Sequence, residues 1–82
     1  MAKLEKLIKK FQTTPLPVDI DIGDFLKYAE FYGFKHERIR GSHYIFTHEK
    51  LVDPYPIPTV NEKKVKSIYL REFNKLIKKV EE

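Results

Sequence analysis

Leu4, Leu7, Ile8 and Phe11 recur at the i, i+3, i+4, i+7 spacing of one helix face, with lysine and glutamate among the residues between them, and predict a short amphipathic helix. Gln12 to Pro17 then holds two threonines and two prolines. The residue before a proline is biased away from helical backbone, so this stretch reads as an elbow. A second apolar face runs Ile22, Phe25, Leu26, Ala29 and Tyr32 and predicts a helix capped at its start by Asp19 or Asp21. Gly33 follows where a left-handed residue would end that helix.

Beyond Gly33 the helical period is lost. Phe34 to Arg40 and His43 to His48 read as two antiparallel strands around Gly41-Ser42. Leu51 to Ile57 reads as a third extended piece, short and irregular, and Pro54 and Pro56, which lack an amide hydrogen, put it at a sheet edge. The longest periodic signal comes last, with Val65, Ile68, Tyr69, Phe73, Leu76, Ile77 and Val80 on one helical face. Asn61 and Ser67 both qualify as its cap. Ser67 is preferred, because a start at Asn61 sets Lys63, Lys64 and Lys66 against the positive end of the helix dipole. Phe25, Leu26, Ile45, Phe46, Phe73 and Ile77 are expected in the core. The resulting order is a helix followed by αβββα, an α+β fold in which a three-stranded antiparallel sheet carries helices on one face. That order is also the order of a double-stranded RNA-binding domain.

A length of 82 residues suits a single domain, divided here into an additional helix and linker over 1–14 and a core over 19–82. With 41% hydrophobic and 34% charged residues the chain has the balance of a globular domain rather than a disordered one. No apolar run approaches the ~20 residues of a membrane span. Lys3, Lys6, Lys9 and Lys10 interrupt any secretory leader, so the expected location is the cytoplasm. The absence of cysteine excludes disulfides, a thiolate nucleophile and cysteine-ligated zinc. A net charge of +4 favours an anionic partner without naming it.

Of the three histidines, His36, His43 and His48, no pair has the i, i+4 spacing of a helical zinc motif, and His43 and His48, five apart, point to opposite sides of a strand. No metal or other cofactor is expected. Arg38-Ile39-Arg40-Gly41-Ser42-His43-Tyr44-Ile45-Phe46 is more informative. Arg38 and Arg40, two apart on a strand, are suited to phosphate oxygens; Gly41 allows close approach, Ser42 offers a hydroxyl, and His43 an imidazole for proton transfer. An ordinary tight connection with solvated arginines is the competing reading. Lys63, Lys64 and Lys66, near the start of the last helix, form a second basic group that suits phosphate or solvent equally well. Tyr44 is the aromatic best placed in sequence to stack on a base, although its odd offset from His43 argues against it.

Gly33-Phe34, Arg40-Gly41-Ser42-His43-Tyr44-Ile45-Phe46, His48, Lys64-Val65-Lys66 and Tyr69-Leu70-Arg71-Glu72-Phe73 together resemble the HicA toxins of bacterial and archaeal toxin–antitoxin modules. The resemblance runs from about Ile20 to the C-terminus. It implies a fold like a double-stranded RNA-binding domain, an mRNA interferase activity, and silencing by a HicB-type antitoxin. It gives the catalytic role to His43. Many relatives carry a second histidine where this chain has Tyr44, and Met1 to Phe11 lies outside the shortest members. The expectation is a metal-independent endoribonuclease acting on mRNA, with His43 as general base or acid and Arg38, Arg40, Gly41, Ser42, Lys64 and Lys66 holding RNA. A non-catalytic RNA-binding module is the alternative, and a protein-interaction domain a third.

Overall fold

Asp21 adopts extended backbone and its carboxylate accepts a hydrogen bond from the amide of Gly23 at 3.0 Å, so the second helix, α2 (Ile22–Phe31), starts at the later of the two expected caps. It ends in a Schellman motif. The amides of Phe34 and Gly33 donate to the carbonyls of Ala29 and Glu30, and Gly33 sits at φ +87°, where a side chain would be strained. The computed structural model describes residues 2–39 and 42–81. Its elements in chain order are α1 (Ala2–Gln12), β1 (Asp19–Asp21), α2, β2 (Lys35–Ile39), β3 (His43–Thr47), β4 (Tyr55–Pro58), β5 (Lys64–Lys66) and α3 (Ser67–Glu81).

The architecture is α+β, with three helices and an antiparallel sheet in the order β2-β3-β4. The third strand is shorter than the expected Leu51 to Ile57 and lies, as its prolines require, at an edge. Thr59, one rung beyond β4, donates its amide inward to the carbonyl of Ser42 at 2.7 Å. Alternate residues of a strand point the same way, so the outward positions of β4 are those of Pro56 and Pro58. That edge has no donor to offer another strand, which protects it from unwanted pairing.

A second sheet was not expected. β1 and β5 pair antiparallel, with Asp19 opposite Lys66, Ile20 opposite Val65 and Asp21 opposite Lys64. Val65 therefore belongs to a strand and not to the last helix, whose first residue is Ser67. Asn61 lies outside that helix, in the β4–β5 connection, with φ of 52° and Glu62 beside it at 62°. The reason is burial: Ile20 and Val65 are each 1% exposed and close the core at one end, while the flanking charges face water.

One face of the three-stranded sheet carries the core. Phe46 and Ile57 meet Phe25 from α2 and Phe73 and Leu70 from α3, all of them buried. Phe73 is the hub, its ring 5.0 Å from that of Phe25, 4.7 Å from Phe34 and 5.3 Å from Phe46. Leu26 is half-buried against this cluster and Ile77 is buried, as expected. Ile45 departs from expectation. It is only half-buried and alternates with Phe46, so it belongs to the uncovered face.

The additional helix is part of the same core. Phe11 of α1 is buried and its ring lies 5.1 Å from that of Tyr28, edge to face. Gln12 donates to the Tyr28 hydroxyl at 3.1 Å, that hydroxyl donates to the Asn74 carbonyl oxygen at 2.5 Å, and the Asn74 amide donates to the Phe11 carbonyl at 2.9 Å. This network ties all three helices together and satisfies a phenol whose pKa burial pushes up to about 12. No helix among the described residues is long and apolar enough to cross a membrane.

Candidate active site

The three imidazoles have three different environments. His36, on β2 opposite Phe46, places Nε2 2.7 Å from the carboxylate of Glu30 on α2, with its ring 6.2 Å from that of Phe46. It acts as a polar link between helix and sheet. His48, just past β3, has Nδ1 3.0 Å from the amide of Lys50, which can only donate, and Nε2 3.1 Å from the Tyr32 carbonyl, which can only accept. Those two partners require the neutral tautomer protonated at Nε2. The ring also lies 4.7 Å from Phe34, and a Cβ on Gly33 would come within 3.2 Å of Nε2. His48 thus completes the C-terminal cap of α2.

His43 differs from both. It is the first residue of β3, opposite Ile39 on one side and Pro58 on the other, and its side chain is exposed. Among the described residues neither ring nitrogen has a hydrogen-bond or ion-pair partner. The backbone just before it, by contrast, is firmly held. The Ser42 carbonyl accepts from the Thr59 amide at 2.7 Å and from the Thr59 hydroxyl at 2.6 Å. The backbone from which His43 projects is therefore fixed, while its imidazole is open to solvent, where a ligand can reach it.

The other expected residues divide into groups. Ser42 adjoins His43 and is half-buried. Arg38 is opposite Tyr44 in the register, one position out of phase with His43. Arg40 and Gly41 lie outside the described residues. Tyr44 is half-buried with its ring 6.4 Å from that of His36, on the helix-covered side of the sheet, so it does not share the face of His43.

Lys64 and Lys66 are exposed on β5, in the other sheet, and not on the helix. They are joined to the His43 strand through a short relay of main-chain bonds. Thr59 is held by Ser42, while the next residue, Val60, donates to the Lys64 carbonyl at 2.7 Å and accepts from the Lys64 amide at 3.1 Å. Each lysine stands across the ladder from an aspartate, Lys64 from Asp21 and Lys66 from Asp19, and this partly offsets their field. Among the described residues no group of three metal-ligating side chains is gathered.

Two features escaped the sequence reading, the aspartates facing the lysines and the clamp at Thr59. For the first, the three-residue alternations Asp-Ile-Asp and Lys-Val-Lys are too short to be told from helix without their pairing. For Thr59 the only hint was a β-branched hydroxyl residue directly after the proline-bearing strand. Comparison with known proteins adds nothing further, since no family model, curated protein or solved structure matches this chain.

Proposed function

We propose that this chain is a metal-independent endoribonuclease of the HicA kind, the toxin of a toxin–antitoxin pair, which cuts mRNA with His43 as its proton-transfer group. The observation that carries the proposal is the difference among the histidines: His36 and His48 are engaged in structural contacts, while the ring nitrogens of His43 face solvent unpartnered among the described residues. The order α2, β2, β3, β4, β5, α3, in which β2, β3 and β4 form one sheet with helices covering one face while β5 pairs with β1, supports a likeness to double-stranded RNA-binding domains in its three-stranded sheet and flanking helices.

In the proposed reaction the neutral His43 imidazole takes the proton of a ribose 2′-hydroxyl. The 2′-oxygen then forms a bond to the adjacent phosphorus as the bond to the 5′-oxygen breaks. The 5′-oxygen leaves as a hydroxyl with a proton from solvent water, the proton taken by His43 is released to solvent and restores the neutral ring, and the upstream fragment keeps a 2′,3′-cyclic phosphate. Arg38, Arg40, Lys64 and Lys66 supply the positive field that draws the RNA backbone, and Gly41 and Ser42 directly precede His43 in the chain. An acidic or mixed-charge HicB-type partner that covers His43 would block this chemistry without unfolding the domain. The setting for such a pair is the cytoplasm, where mRNA is found.

Expression in bacteria tests the reading. Growth arrest by the wild type and none by His43→Ala is the expected outcome; arrest by both means that the toxicity, if RNA-directed, is binding without cleavage.

The facing charges give a separate expectation. Asp21→Asn keeps the cap of α2, because asparagine accepts equally well there, but removes the negative charge opposite Lys64. RNA affinity is expected to rise by about two- to threefold, as expected for a weak surface pair. Lys64→Ala is expected to lower affinity and reduce the salt slope by about 0.7, the value for one single-strand phosphate contact. Titrations across salt by fluorescence anisotropy check both, and identical slopes for Lys64→Ala and wild type would remove Lys64 from the interface.

A further inference from the structure

Thr59 makes two hydrogen bonds to one atom. Its amide donates to the Ser42 carbonyl at 2.7 Å and its hydroxyl donates to the same oxygen at 2.6 Å. The first bond continues the β3–β4 ladder by one rung beyond His43 opposite Pro58. The second has no role in the ladder. A carbonyl oxygen has two acceptor sites, so this carbonyl is saturated, and the peptide joining Ser42 to His43 is fixed in rotation as well as in position.

Position along the chain gives this clamp its consequence. Immediately after Thr59 the backbone turns through Val60, whose paired bonds with Lys64 at 2.7 and 3.1 Å start the strand bearing Lys64 and Lys66. The amide of Ile22 anchors the same turn by donating to the Lys63 carbonyl at 2.8 Å. Thr59 is thus the joint between the strand end that carries His43 and the turn that carries the lysines.

We propose that Thr59 is a positioning residue: its hydroxyl clamps the Ser42 carbonyl and so fixes the aim of His43 relative to Lys64 and Lys66. The proposal rests on the ribonuclease reading for its catalytic consequence, but the clamp itself is a property of the free protein. Threonine suits the position because its β-branched side chain favours strand-like backbone and carries a hydroxyl. Thr59→Val keeps the shape and the amide bond while deleting the second donor, and Thr59→Ser keeps the donor.

The test has two readouts on wild type, Thr59→Val and Thr59→Ser. The first is NMR of the free protein, following the His43 ring signals and the hydrogen exchange of the His43 amide. Thr59→Val is expected to shift and broaden the ring signals and to exchange about tenfold faster, with Thr59→Ser close to wild type. The second is single-turnover RNA cleavage at saturating enzyme. There Thr59→Val is expected to be about tenfold slower, with the half-saturating concentration nearly unchanged, because misaimed groups cost rate rather than binding. Thr59→Ser is expected to restore the rate. Unchanged His43 signals in Thr59→Val overturn the clamp whatever the rates are. Changed signals with an unaltered cleavage rate overturn the positioning role. If the signals change while even the wild type leaves RNA intact, the ribonuclease reading fails and the catalytic role of the clamp fails with it.

Discussion

His43→Ala is expected to slow RNA cleavage by about 10²- to 10⁴-fold, the range a positioned general acid or base typically supplies. The loss is expected in the cleavage step and not in binding, because the imidazole is one of several groups near the RNA and carries no fixed charge when it acts as a base. The fold should be unaffected. His43 is exposed and its ring makes no hydrogen bond among the described residues, so its removal leaves no cavity and no orphaned partner. Thermal unfolding of the variant alongside wild type checks that point. His36→Ala and His48→Ala serve as contrasts. They break the contact with Glu30 and the cap of α2, so their effects should appear in stability before they appear in catalysis.

Phe73→Ala is expected to cost about 3–5 kcal/mol of stability, the usual price of emptying a buried aromatic site. Its ring lies within 4.7 to 6.4 Å of four others, those of Phe25, Tyr28, Phe34 and Phe46, and so joins both α2 and the sheet to α3. Small domains have only about 5–15 kcal/mol in total. The melting temperature should therefore drop by on the order of 20 °C, since 1 kcal/mol moves a domain of this size by about 4–8 °C. Phe31→Ala removes the same kind of side chain from a site that is 55% exposed and should change the midpoint far less. Similar midpoints for the two variants, measured by circular dichroism, would contradict the place assigned to Phe73.

Local signals in the chain led to most of the fold. The apolar face of α3, the cap at Asp21, the left-handed Gly33 and the hairpin of β2 and β3 each depend on residues close together in sequence. What escaped notice depends on partners far apart. Asp19–Asp21 and Lys64–Lys66 are three residues each, too short for alternation to be told from helix, and only their pairing across more than 40 residues makes them strands. Ile45 lies outside the core because neighbouring residues of a strand face opposite ways, and Phe46 takes the side that the helices cover.

The candidate site follows the same division. His43 and Ser42 were legible as a motif, and the structure adds the reason that His43 differs from His36 and His48, whose contacts with Glu30 and Tyr32 come from other elements. Lys64 and Lys66 were legible as charges but not as members of a ladder facing Asp21 and Asp19. The clamp from Thr59 to Ser42 spans 17 positions and leaves no periodic trace.

The most direct test of His43 as a metal-independent proton-transfer group uses an RNA oligonucleotide, cleaved in excess EDTA, with product ends identified by mass spectrometry. A second oligonucleotide carries a single 2′-deoxyribose at the cleaved position. The expected result is a 2′,3′-cyclic phosphate on the upstream fragment and a 5′-hydroxyl on the downstream one, with no cleavage at the deoxy position. A reaction that stops in EDTA, resumes with a divalent ion and leaves 5′-phosphate ends, or that cuts the deoxy position as readily as the ribose, would contradict it.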